Sequence, residues 1–143
     1  MQPVERLIDA SADRVWHLVG DVERWDRMLP TINQVTRVDA GDPVGVGARF
    51  EVRQPGLPKA VYEITEWRPG SGFTWVSSSP GVRTTATHEL GSESGRTRLA
   101  LAITWTGALA GVVRLVLGAK ARRMVEQEAD TFARLAETGG DAG

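Results

Sequence analysis

The chain contains no cysteine, so disulfides, thiolate metal sites and cysteine nucleophiles are all excluded, and a reducing compartment fits. No stretch approaches the ~20 apolar residues needed to cross a bilayer, so no transmembrane segment is expected. Residues 1–9 lack the basic-then-apolar run of a secretion signal, which makes a cytoplasmic protein the expectation. Charge of either sign is not in excess. A formal net charge of −1 gives no concentrated basic surface, so no nucleic-acid partner is expected. Histidine is scarce too: His17 and His88 are the only two, which rules out a His-rich metal site. Tyrosine occurs once, as Tyr62, against five tryptophans. Trp brings a large flat apolar face with one donor, suited to a core or to the wall of a ligand site.

What is present is enough for one domain with a real core. The chain has 143 residues, 41% hydrophobic and 24% charged. The domain is expected over residues 1–138, with 139–143 a disordered tail. Residues 4–8 read as a first strand. Ser11 can cap a helix in which Ala12, Val15, Trp16 and Val19 recur at helical spacing, and Gly20 stops it. Asp21 can cap a second short helix carrying Val22, Trp25, Met28 and Leu29, which Pro30 closes. From there the period changes to two. Strands are expected over 32–38, around Phe50 and Val52, around Tyr62 and Ile64, and through Phe73, Trp75 and Ser77. Two more follow, through Val82 to Leu90 and through Leu99 to Trp105. Turns fall at Gly41-Asp42-Pro43, Pro69-Gly70, Pro80-Gly81 and a polar loop over 91–95. Residues 108–137 read as one long helix with Val113, Leu117, Ala121, Met124, Thr131 and Leu135 on its inner face. Trp67 is expected on the outer face of its strand with Val61, Glu63 and Thr65. The order β-α-α, six strands, then α gives the class α+β. A curved antiparallel sheet folded around a helix leaves an interior too wide for its own side chains, and that geometry makes a cavity.

Several short segments carry a resemblance. Ile8-Asp9-Ala10-Ser11-Ala12-Asp13-Arg14-Val15-Trp16 is one, and Val22-Glu23-Arg24-Trp25 is another. Gly45-Val46-Gly47-Ala48-Arg49-Phe50, Glu63-Ile64-Thr65-Glu66-Trp67 and Gly95-Arg96-Thr97-Arg98-Leu99 complete the set, in order along nearly the whole chain. Together they resemble the START-like (SRPBCC) superfamily, which includes the polyketide cyclase/dehydrase family and the birch-pollen-allergen fold. The resemblance implies a helix-grip fold: about seven antiparallel strands wrapped around the C-terminal helix, with two short helices after the first strand. It also implies a deep apolar cavity, but no shared reaction, because members bind lipids, sterols, quinones and polyketides and many catalyse nothing. Relatives often carry Trp-Pro-x-Trp-x-Pro at the short helix, where this chain has Trp25-Asp26-Arg27-Met28-Leu29-Pro30. Met28 should soften that edge of the pocket.

Other chemistries fail on context. Gly45-Val46-Gly47 leads into a strand, so no helix N-terminus faces a phosphate, and no cofactor is expected. His88-Glu89 is no zinc-hydrolase motif, since Ser92 stands where the second His belongs. Gly91-Ser92-Glu93-Ser94-Gly95 has Glu at the nucleophile position and lies in a hairpin. Lys120, Arg122 and Arg123 do not share one helix face.

The candidate catalytic residue is His88, which alternates onto one face with Val82, Thr84, Ala86 and Leu90. A pocket imidazole there could donate to a ligand or act as general base from an ordinary pKa of ~6.5. On a convex face it would be only a satisfied core histidine. The expected ligand-binding wall takes Trp25 and Met28 from the short helix, Phe50, Tyr62 and Ile64 from the first sheet strands, and Phe73 and Trp75 from the next. Thr84, Ala86, His88, Leu101 and Ile103 continue it, and Val113, Leu117 and Met124 close it from the long helix. Trp105 is a further aromatic wall candidate. Arg49, Glu51 and Arg53 form a row expected to face water.

Residues 108–119 are apolar nearly all round, with Val112, Val116 and Ala119 where a polar stripe belongs. Either loops such as 54–58 cover them, or they form a portal touching a membrane, a carrier or a second subunit. Three functions follow. The first binds a small hydrophobic molecule, lipid-, polyketide- or quinone-like, without changing it. The second is a polyketide cyclase, aromatase or dehydrase that folds its substrate in the cavity. The third is a protein-interaction module. The sequence leaves open a homodimer and transient contact with a membrane or carrier.

Overall fold

The computed structural model of the chain describes residues 1–38 and 43–138. The turn residues Gly41 and Asp42 and the tail over 139–143 lie outside the described residues. Strand β1 (Val4–Ile8) leads into helix α1 (Ala12–Val19), a single 3-10 turn (Val22–Arg24) and helix α2 (Trp25–Met28). Strands β2 (Gln34–Arg37), β3 (Arg49–Arg53), β4 (Ala60–Arg68), β5 (Gly72–Ser79), β6 (Val82–Glu93) and β7 (Arg96–Thr106) follow, and helix α3 (Ala110–Thr138) ends the fold. The seven strands form one open sheet in the order β1-β7-β6-β5-β4-β3-β2. Each neighbouring pair is antiparallel. Consecutive strands from β2 to β7 are sequential neighbours, while β1 joins the far edge beside β7.

Alternation builds the inner face. Phe50 and Val52 of β3, Phe73 and Trp75 of β5, Ala86 and His88 of β6, and Leu99 and Leu101 of β7 are all buried. Their neighbours Arg49 and Arg53 are exposed, and Glu51 sits within 3.6 Å of Arg53 and 3.8 Å of Lys59. The α1 start follows from chemistry at Ser11, whose Oγ accepts from the Arg14 N–H at 3.2 Å. Asp21, by contrast, makes no side-chain cap; it pairs with Arg24 at 3.2 Å instead.

Four expectations needed revision. Strand β2 spans only Gln34–Arg37, and α3 begins at Ala110. The β6–β7 connection is two residues, because Glu93 pairs with Arg96. Ser94 and Gly95 both take positive φ, 53° and 81°, the geometry of a tight hairpin turn. Trp67 faces inward. A bulge between Ile64 and Glu66 inserts one extra residue, so Ile64 pairs with Trp75 but Trp67 pairs with Phe73. That slip flips Trp67 to the inner side, where it meets Trp16 at 5.0 Å and Phe73 at 5.4 Å between ring centroids.

Helix α3 packs on β1, β7 and α1. Its C-terminal half is anchored by polar ties. Arg6 bonds Asp130 at 2.7 Å, and Arg14 Nη2 donates to the Leu135 carbonyl at 3.1 Å. The Asp9 N–H donates to Glu137 at 2.9 Å. The buried stripe of this half is Val125, Ala129, Thr131, Phe132 and Ala136; Thr131 was expected there, the others lie one step round from the expected positions, and Leu135 is only half-buried.

Candidate functional site

Between the sheet and α3 lie two adjoining cavities that share Gln54, Tyr62, Ile103, Val125 and Glu128 in their walls. The inner one, about 50 Å³, is walled by Trp25, Trp75, Ala86, His88 and Leu101. The outer one, about 70 Å³, is walled by Leu57, Thr84, Trp105, Leu117, Lys120 and Met124. Both are far smaller than the few hundred Å³ of a typical ligand site. The reason is an aromatic plug. Trp25 lies 5.8 Å from Phe73, 5.3 Å from Trp75 and 5.8 Å from Phe132, so four rings fill the space behind the inner cavity.

The residues expected to form the wall therefore divide. Trp25, Trp75, Ala86, His88 and Leu101 reach the inner cavity, Thr84, Leu117 and Met124 the outer, and Tyr62 and Ile103 both. Phe50, Ile64 and Phe73 are wholly buried core and do not touch either cavity. Met28 and Val113 are half-buried and off both walls. Phe50, Ile64 and Phe73 do point inward, but into the packed core and not the open space.

His88 is buried and ring-stacked on Phe73 at 4.1 Å. Its Nδ1 lies 3.1 Å from the Phe73 carbonyl, which can only accept. Nδ1 therefore carries the proton, and Nε2 is left as an acceptor. Burial pushes the imidazole down to about 4, against a smaller opposing effect of the Phe73 carbonyl. A neutral imidazole with so low a pKa is a weak base, better suited to accept a hydrogen bond through Nε2 than to act as general base.

Glu128, a titratable group in the walls of both cavities, was not among the residues expected from the sequence. Burial pushes its carboxyl up to about 7, although the Thr31 hydroxyl donates to Oε2 at 2.7 Å and works the other way. At neutral pH such a group is close to half protonated, able to give or take a proton. Tyr62 stands nearby, its ring stacked on Trp75 at 4.9 Å. Burial and then the Glu128 charge push its phenol up to about 12, so it remains a donor. Trp25 adds a donor of another kind: its Nε1 is buried with no hydrogen-bond partner among the described residues. An orphaned buried N–H is costly and uncommon. A signal for Glu128 did exist, since it follows Met124 by four residues and precedes Thr131 by three on the same helix face.

Among the described residues no group of three or more His, Asp or Glu side chains is placed to hold a metal ion, and no helix is long and apolar enough to cross a membrane. Residues 3–137 match the family model described as polyketide cyclase/dehydrase and lipid transport. The chain belongs to this family. The polyketide cyclase/dehydrase and lipid transport fold is also seen in solved structures. One is TTHA0849 from Thermus thermophilus, 20% identical, with 98% of this chain and 99% of that chain covered at a TM-score of 0.76. Another is the Zhui aromatase/cyclase from Streptomyces sp. R1128, 16% identical, with 98% and 94% covered at 0.76. Ara h 8.0201 is 13% identical, with 91% and 95% covered at 0.66. These likenesses concern the fold. No curated protein matches the chain.

Proposed function

We propose that the protein binds a small, mostly apolar molecule bearing an oxygen, held between the sheet and α3. The observation that carries this reading is the mixed wall: aliphatic and aromatic surface interrupted by Glu128, Tyr62, the His88 Nε2 acceptor and the unpartnered Trp25 N–H. Each cavity alone is below the about 150 Å³ that accommodates benzene in an engineered core. An occupant therefore spans both, and the 54–59 loop or the flexible Met124 side chain yields as it enters. Family membership supports a ligand of lipid or polyketide type. A cytoplasmic setting remains our reading of the cysteine-free sequence, tested by fractionation.

Native mass spectrometry of the purified protein tests the binding. We expect a co-purified apolar molecule, and quenching of tryptophan fluorescence by added 2-naphthol that Leu101→Trp abolishes by filling the inner cavity. An empty protein with no response to 2-naphthol would overturn the proposal.

Glu128 favours a second reading, a cyclase or dehydrase. A carboxyl near neutrality can protonate a departing hydroxyl, or take a proton beside a carbonyl that Tyr62 holds by hydrogen bond. Under this reading Glu128→Gln retains the bound molecule but abolishes its conversion, followed as loss of one water from the occupant. Under simple binding, wild type and variant release the same compound.

A further inference from the structure

The two ends of α3 are treated differently by the fold. The C-terminal half is tied to β1 and α1, as described. The N-terminal end starts against the β5–β6 turn, where the Leu109 N–H donates to the Gly81 carbonyl at 2.8 Å. Beyond that point the helix carries large aliphatic side chains into solvent. Leu109 is 49% exposed, Val112 58%, Val116 69% and Leu115 87%. The loops do not cover them. Val112, Val116 and Ala119 follow each other at spacings of four and three, so they share one side, with Leu115 beside them. No described feature of the fold offsets this exposure, and a contiguous exposed apolar face of this kind marks an interaction site.

Charge says what the face meets. From residue 107 to residue 125 the chain has no Asp or Glu, while Arg114, Lys120, Arg122 and Arg123 all fall there. Arg123 continues the Val112–Val116–Ala119 side by four more residues. Arg122 turns toward Glu126 at 3.5 Å. Arg114, Lys120 and Arg123, with the exposed Arg83 on the adjoining strand β6, have no ion-pair partner among the described residues. A second copy is a poor occupant, because a two-fold contact sets the same patch against itself and brings two sets of the unpaired cations Lys120 and Arg123 into one interface. Aliphatic side chains that run into the unpaired cations Lys120 and Arg123, four residues on from Val116 and Ala119, match the boundary layer of a membrane, where acyl chains lie beneath anionic headgroups.

We propose that the first turns of α3, with the β5–β6 turn beside them, dock this protein on the surface of an anionic phospholipid bilayer. Leu117, Lys120 and Ala121 of the same helix wall the outer cavity, so docking sets that cavity beside the lipid phase. The docking is independent of what the cavity holds, and it is read without reference to cavity occupancy.

Vesicle flotation tests it, using phosphatidylcholine alone and phosphatidylcholine mixed with phosphatidylglycerol. Wild-type protein is expected to float with the mixed vesicles, less so as salt rises, and not with phosphatidylcholine alone. A basic residue near an anionic surface contributes about fivefold in partitioning, so Arg123→Glu should lower binding by at least that factor. Leu115→Asp should lower it as well. Both positions are exposed, and an unchanged thermal midpoint confirms that each variant is folded. Absence of flotation with the mixed vesicles at low salt would overturn the proposal. So would a dimer of the wild type that Leu115→Asp disperses while flotation is unaffected. A complex with an acidic carrier protein, formed through Arg123 without flotation, would overturn it in favour of a protein partner.

Discussion

Glu128 carries an unmet electrostatic cost in the site. Its folded-state pKa of about 7 lies above the ordinary carboxylate value of 4.5. The folded protein thus holds a proton there that the unfolded chain has already released, and stability falls as pH rises between those two values. Above pH 7 the whole penalty is present. Replacing Glu128 by Gln removes the charge and leaves an oxygen to accept from Thr31. Allowing for the side chain's partial exposure, the variant should be about 2–3 kcal/mol more stable than wild type at pH 8. At pH 4 the difference should vanish. Urea melts at the two pH values check this, and equal stability at pH 8 would show that the carboxyl is solvated. A second position is limited by space instead. Gly72 opens β5 at φ 145°, and a Cβ there would overlap the His88 carbonyl oxygen, which is backbone and has no side-chain freedom to give way. Gly72→Ala should cost at least about 2 kcal/mol, because both backbone strain and overlap oppose it. The same substitution at Gly91, whose surroundings are open and whose φ is ordinary, should be nearly neutral and serves as the control.

Among the elements, α3 decides how much of the interior is hollow. Phe132 is wholly buried and meets Trp25 at 5.8 Å, so it is the part of the aromatic plug contributed by the helix. Phe132→Ala should destabilise the protein by about 3–5 kcal/mol through lost packing and the space left behind. It should also enlarge the room behind Trp25. Benzene is then expected to raise the melting temperature of the variant and not of the wild type, as calorimetry would record; no benzene response in a folded variant would mean that the core had collapsed around the gap. The helix also shows why part of the site could be read in advance and part could not. Alternation in β3, β5, β6 and β7 is uninterrupted, so the inward positions of Phe50, Trp75, His88 and Leu101 followed from period two alone. In β4 the same rule holds as far as Ile64 and fails at Trp67, because a bulge adds one residue without leaving a mark in hydrophobicity. In α3 the expected stripe left out position 128, because a carboxylate there looks like a solvated charge. Only the folded arrangement sets Thr31 against it and buries it beside Tyr62. Cavity size was beyond reach for a related reason: pattern says which side chains point inward, not how four rings interlock once they do.

Over the whole molecule, His88 and Glu128 act on stability with opposite signs. The folded-state pKa of His88 is about 4, below its ordinary 6.5. Between those values the unfolded chain binds a proton that the folded protein refuses, so stability rises with pH at about 1.4 kcal/mol per unit. Glu128 makes stability fall at the same rate between 4.5 and about 7. Their windows overlap from roughly pH 4.5 to 6.5, where the two slopes cancel. The wild-type protein should therefore have nearly flat stability over that interval, although it contains two strongly perturbed groups. The variants separate them. Glu128→Gln should leave a stability that climbs from pH 4 to 6.5 and then levels. His88→Gln should leave one that declines from 4.5 to 7 and then levels. Chemical denaturation at half-unit pH intervals gives all three curves. A wild-type profile already steep between pH 4.5 and 6.5 would mean that one of the two side chains is not desolvated, and the variant that flattens the curve would say which. The cancellation also bears on the cavity, since Glu128 and His88 stand in the wall of the same inner space. A neutral occupant that displaces water from both should move both folded-state pKa values further from their ordinary positions, lengthening the rise below pH 4.5 and the fall above pH 6.5 while the flat interval, bounded by the unfolded-chain values, stays where it is. An occupant whose own donor bonds the Glu128 carboxylate should lower that pKa and tilt the profile upward with pH, so the shape of the curve reports the polarity of what is bound.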